Sequence, residues 1–143
     1  MRAGFPLPDV NWEPTRGFWQ AAQRRELQMP RCERCGLINW YPPPRCRACE
    51  CESLGWSSLS GRATLFSWSH VSRALFDGYA SKAPYITGLV ALEEDPRVRL
   101  VTLLVDCLPE DLTIDMPVEV VFRVLEFPDV EGSVIAPMFR PHS

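Results

Sequence analysis

The sequence predicts a mainly β protein built from an N-terminal helix, a four-cysteine ribbon and a five-stranded barrel. Three observations carry that expectation: two Cys-x-x-Cys pairs ten residues apart, a Pro-free run of helix formers ahead of them, and five β-rich runs after residue 54. They divide the chain into an N-terminal extension and helix (1–30), a ribbon (31–53) and a barrel (54–143).

The helix is expected over residues 15–27, TRGFWQAAQRREL, with Pro30 as its stop. Phe18 and Ala22 fall at i and i+4 with Trp19 and Gln23 beside them, so the apolar side is narrow while Arg24 and Arg25 project elsewhere. So small an amphipathic helix cannot bury itself alone. It either packs back on the ribbon or barrel, or Phe18 and Trp19 anchor a partner subunit, since interface hot spots favour Trp and Arg.

In the ribbon, Cys32-Glu-Arg-Cys35 and Cys46-Arg-Ala-Cys49 offer four soft thiolates, the set that zinc takes in a closed structural site. Iron takes the same cage, and spacing alone admits both metals. Gly36 lets the backbone turn tightly after the first pair, and Pro42-Pro43-Pro44 delivers the chain stiffly to the second. A redox pair would stand alone at the start of a helix. Disulfides require an oxidising compartment, and the opening MRAGFPLPDV lacks an apolar signal core, so the protein is expected in the cytoplasm with its thiols reduced. Cys51 is expected to be a bystander to the knuckle and Cys107 a small buried residue.

The barrel strands are expected at 61–72, 85–92, 98–105, 118–125 and 134–139. In the first, Ala63, Leu65, Ser67, Ser69 and Val71 alternate with Thr64, Phe66, Trp68 and His70. Residues 85–92 and 98–105 flank an acidic turn, EEDPR, and read as a hairpin. Residues 108–116 have room for a helical turn, and Pro137 suits the last strand to an edge. Five strands with a connector between the third and fourth fit an OB-type barrel. All five Trp lie in the first half; Trp56, at the junction, is expected to pack on the barrel, and Trp40 to stay partly exposed as an interface group.

No apolar run approaches the roughly 18 residues of a membrane span. The first 50 residues carry eight Arg against five acids, a net +3, and the remainder nets −6, giving −3 overall. An acidic barrel repels a polyanion, which counts against a single-strand nucleic-acid binder even though Phe66, Trp68 and His70 could stack bases. His70 and His142 are the only histidines, and no GxSxG, HExxH, P-loop or GxGxxG motif is present.

The chain resembles the DUF35 family through FWQAA in the helix, PRCERCGLINWYPPPRCRAC in the ribbon, Leu54-Gly-Trp56 through SGRATLFSW, Pro84-Tyr85 and MPVEVVF. The resemblance spans roughly residues 12–140. It departs at Asp115, where the family pattern has Gly. It implies a rubredoxin-like zinc ribbon before an OB-fold, and a non-catalytic accessory subunit of a thiolase-like enzyme that condenses, transfers or cleaves acyl-CoA thioesters. Two expectations follow from that role. The connection at 72–84, with Arg73, Phe76, Tyr79 and Lys82, walls or covers the partner's active site, or else caps the barrel. Arg24, Arg25, Arg45 and Arg47 meet the phosphates of a CoA thioester, or else form a solvated basic face.

Overall fold

A computed structural model describes residues 5–75 and 77–142. Helix α1 (Arg16–Gln23) follows a 3₁₀ turn (Glu13–Thr15) and is shorter than the sequence predicts. Arg25 adopts a left-handed φ of 61°, which ends the helix well before Pro30. Pro30 instead lies inside strand β1 (Gln28–Cys32), which pairs antiparallel with β2 (Leu54–Ser58). Residues 54–58, grouped with the barrel from sequence, therefore complete the sheet that carries the ribbon.

The barrel consists of β3 (Arg62–Val71), β4 (Tyr85–Leu92), β5 (Arg99–Leu104), β6 (Pro117–Leu125) and β7 (Val134–Pro141). It closes in the order β3-β4-β5-β7-β6, with a 3₁₀ turn (Pro109–Asp111) between β5 and β6. This is the OB arrangement. Closure corrects one expectation: β7 is not an edge. It lies between β6 and β5, and its seam with β5 rests on one parallel pair, Leu104 with Phe139.

Leu65, Val90 and Phe139 are fully enclosed, and the same core takes in Phe18, Leu27, Met29 and Ile38 from the helix and ribbon. Each such side chain stabilises the fold by roughly 2–3 kcal/mol through area removed from water. A second cluster on the outside of the barrel (Leu125, Phe127, Ala136, Met138) is covered by Leu7, Trp19 and Tyr79. Asp115 turns the chain into β6 with φ 64°, a left-handed conformation that Gly adopts without strain and Asp tolerates. The departure from the family pattern thus leaves the turn intact.

A bulge in β3 overturns the expected strand faces. Pairing steps from Leu65 opposite Val90 to Ser67 opposite Leu89, so the extra residue, Phe66, reverses the alternation after it. Phe66 points outward beneath the Arg99 guanidinium at 3.8 Å, whereas Trp68 packs against the core. These two rings do not share a stacking face.

Candidate functional site

The two cysteine knuckles are built alike. Each first cysteine accepts a backbone hydrogen bond four residues on, from Gly36 to the Cys32 carbonyl and from Glu50 to the Cys46 carbonyl, both at 2.9 Å. Gly36 (φ 77°) and Glu50 (φ 61°) take the left-handed turn this requires. The Arg34 and Cys35 amides donate to Cys32 Sγ at 3.4 Å, and the Ala48 amide donates to Cys46 Sγ at 3.5 Å.

All four sulfurs lie within 4.8 Å of one another, with Cys32–Cys49 at 3.5 Å and Cys35–Cys46 at 3.6 Å. A tetrahedron of four metal–sulfur bonds of about 2.3 Å has edges of about 3.8 Å, so the donor set and its spacing fit a thiolate-bound metal ion. The charges point the same way. Backbone N–H groups at Cys49 and Ala48, with the Asn39 amide, draw Cys46 down to about 6 against the effect of burial. The Cys51 amide favours the Cys49 thiolate, yet burial and the neighbouring sulfurs hold Cys49 up at about 12. Hydrogen bonds led by the Cys35 amide also lower Cys32, while Cys35 is raised by Cys46 and burial against the Leu37 amide. One thiol in each knuckle is ready to ionise and its mate resists; a bound cation removes the repulsion that keeps them apart.

Sequence reasoning missed Asn39. It is fully buried, donates to the Leu37 carbonyl at 3.0 Å and to Cys46 Sγ at 3.5 Å, and accepts from the Arg47 amide at 3.0 Å. A lone amide between Ile38 and Trp40 in a metal ribbon was the signal available. Cys51 stays outside the cluster and accepts from the Ser53 amide, while half-buried Cys107 has its thiol pushed up by burial and by Asp111 and Asp106.

The remaining candidates are scattered. Phe18 is enclosed in the core, so it packs inward and is not a surface anchor, whereas Trp19 is half-buried against it at 5.0 Å. Trp40 is half-buried between Phe18 and Tyr41. The Trp56 indole lies over Gly17 of the helix, where no side chain would fit. The four arginines each have a partner within the chain. Arg24 pairs with Glu26 at 3.5 Å, Arg25 donates to the Phe122 carbonyl, Arg45 pairs with Glu52 at 2.9 Å, and Arg47 donates to the Ile38 carbonyl.

At the barrel end, the Tyr79 ring sits 5.2 Å from Phe127 and 5.5 Å from Tyr85, and Lys82 Nζ lies 5.3 Å from the Phe127 ring. Burial and Tyr85 push the Tyr79 phenol up. Arg73 is exposed, and Phe76 falls outside the described residues. Beside this loop is a hollow of about 390 Å³ lined by Pro6, Phe127, Pro128 and Val130. Among the described residues, no helix is long and apolar enough to cross a membrane.

A four-cysteine ribbon joined through a short helix to an OB barrel defines a class of small two-part proteins. The family described as the ChsH2 C-terminal OB-fold domain matches residues 56–123. A DUF35 domain-containing scaffold protein of Methanocaldococcus jannaschii is 35% identical over 73% of this chain and 72% of its own length. Another, of Methanothermobacter thermautotrophicus, is 31% identical over 85% and 90%. The chain belongs to the DUF35 family.

A probable enoyl-CoA hydratase alpha subunit of Thermomonospora curvata is 32% identical over 95% of the chain, which spans 40% of that relative's length. Among solved structures, a chain of the Ltp2-ChsH2(DUF35) aldolase superposes with a TM-score of 0.75 at 28% identity, covering 94% of this chain and 98% of that one. A DUF35 protein of unknown function from Sulfolobus solfataricus shares the fold, with a TM-score of 0.57 at 11% identity over 79% and 81%.

Proposed function

We propose that this chain is a non-catalytic accessory subunit of an acyl-CoA-processing enzyme, with a thiolase-like partner that performs condensation, acyl transfer, or thiolytic or retro-aldol cleavage. The observation that carries this reading is near end-to-end likeness to a chain of the Ltp2-ChsH2(DUF35) aldolase. The Thermomonospora relative's name, a hydratase subunit, supports an acyl-CoA setting. Work divides among three parts: the helix joins the others, the ribbon is held by zinc at Cys32, Cys35, Cys46 and Cys49, and the barrel presents the 72–84 loop to the partner. Arg73, Tyr79 and Lys82 on that loop contact the partner or its acyl-CoA, and the Phe76 of the same segment is proposed to do so too. Trp19, Trp40 and the arginines at 24, 25, 45 and 47 are secondary contacts, available to a CoA phosphate once their internal pairs open. This reading sets the protein in the cytoplasm, a reducing compartment that suits four free thiolates.

The test is gentle purification of the tagged chain from its source cells, with metal analysis and identification of whatever accompanies it stoichiometrically. A colourless protein with one zinc and a thiolase-like partner, whose acyl-CoA turnover falls when this chain is removed, is the expected result. A solitary chain without effect on any such enzyme, or one whose partner is a labelled oligonucleotide bound in a salt-dependent way, overturns it. Colour that fades on reduction would assign iron and an electron carrier.

A further inference from the structure

Between the helix entrance and the proline run of the ribbon lies a groove of about 290 Å³ that neither the metal site nor the barrel-end loop uses. Pro42, Pro43 and Pro44 line it together with two further prolines, and none of the five has an N–H to donate. Its acidic side chains are Glu13 and Glu52, whose ionised carboxylates accept hydrogen bonds and donate none. Among the described residues that line it, the single side-chain donor is the Trp56 indole. That edge is turned to Gly17, where an added Cβ would stand 2.7 Å from Nε1. Trp56 is 37% exposed, so part of its ring is open on the groove it lines.

Chemistry narrows the occupant. Two carboxylates repel a phosphate, so the head of a CoA thioester has no place in this groove. An apolar side chain would bring neither carboxylate a further hydrogen bond. A planar cation with several N–H donors satisfies the carboxylates and stacks on an aromatic face at once, whereas an ammonium brings a point charge without the flat surface. We propose that this groove receives an arginine side chain of the partner subunit. The accessory-subunit reading supplies the partner; the preference for a guanidinium follows from the groove alone. The chain already makes a contact of the same kind at the rim, where Arg45 pairs with Glu52 at 2.9 Å with both side chains mostly exposed. So exposed a pair is loosely held, and an incoming guanidinium replaces it at little cost.

The full-length, metal-loaded chain is titrated with N-acetyl-arginine methylamide and, separately, with its neutral citrulline counterpart, while NMR follows the Trp56 indole N–H assigned through Trp56→Phe. A saturable shift at Trp56 in the low-millimolar range is expected, with citrulline about tenfold weaker because it lacks the charge. The exposed pair of substitutions Glu13→Gln and Glu52→Gln weakens the arginine probe about fivefold or more, and Arg45→Gln tightens it about twofold by removing the internal competitor. Equal binding of citrulline, an unmoved Trp56 resonance, or indifference to the double substitution overturns the proposal. Because the chain is tested without its partner, failure here leaves the acyl-CoA enzyme reading standing, and failure of that reading leaves this result untouched.

Discussion

Between Gln28 and Ser58 the ribbon encloses Met29, Cys32, Ile38, Asn39 and Cys46, and its Met29 and Ile38 belong to a core completed by the helix and the barrel. The barrel encloses Ala63, Leu65, Ile86, Val90, Leu92, Leu100, Leu104, Val118 and Phe139, and closes its ladder on itself. The ribbon's interior is thus a set of sulfurs, and its few apolar groups are lent to a neighbour; the barrel's interior is hydrocarbon. The difference teaches that one chain of this size can hold two parts by different forces. A metal ion on the four thiolates would replace a core where too few residues exist to make one.

The largest expected effect comes from breaking the ribbon's own force. Chelation, or Cys46→Ser, should take the metal content from one ion to none and remove metal-coupled folding free energy on the order of 10 kcal/mol. Hydrogen exchange should then lose protection over 28–58 while the amides of β3 to β7 keep theirs. A barrel that opens in step with the ribbon would show one cooperative unit instead of two. The converse test is Phe139→Ala, which empties the centre of the barrel and should cost about 3–5 kcal/mol in denaturant unfolding. Metal stoichiometry in the folded protein should stay unchanged.

The joint between the parts comes next. An Ala at Gly17 would gain roughly 1 kcal/mol of helix propensity in isolation, but its Cβ would stand 2.3 Å from the Trp56 ring. Displacing that ring costs about 1–3 kcal/mol, so Gly17→Ala should destabilise on balance, and a thermal melt gives the sign. The smallest effect is electrostatic and confined to the barrel. Arg123 and Arg140 hold Asp106 below the ordinary carboxylate value, and Arg140 with His142 does the same for Glu119. A depressed carboxyl stabilises the fold fully above its unfolded value, near 4. It loses that contribution as pH falls through its lower folded value. The denaturant midpoint should therefore hold from neutral pH to about 5 and fall below about 4, less steeply in Arg123→Gln.

The cluster of four cysteines was legible because their spacing is local and thiolate chemistry admits few alternatives. The strands were legible because β-branched runs between turn residues report a pleated, half-buried surface. Asn39 was not, since what marks it is burial beside Cys46 Sγ, which no local pattern encodes. The strand faces in β3 were misread because a bulge at Phe66 obeys the closure of the barrel and leaves no periodic trace.

By itself, the sequence determined the composition of this protein: which cysteines can meet, which segments are strands, and that a four-cysteine ribbon precedes a barrel. Those properties follow from short-range spacing and residue type. Only the tertiary structure decided that Leu54–Ser58 pairs back on Gln28–Cys32, that Phe18 turns inward, that Trp56 covers Gly17, and that five prolines, two acids and an indole converge on one groove. Each joins residues distant in the chain, and their placement is set by how three differently stabilised pieces share one core.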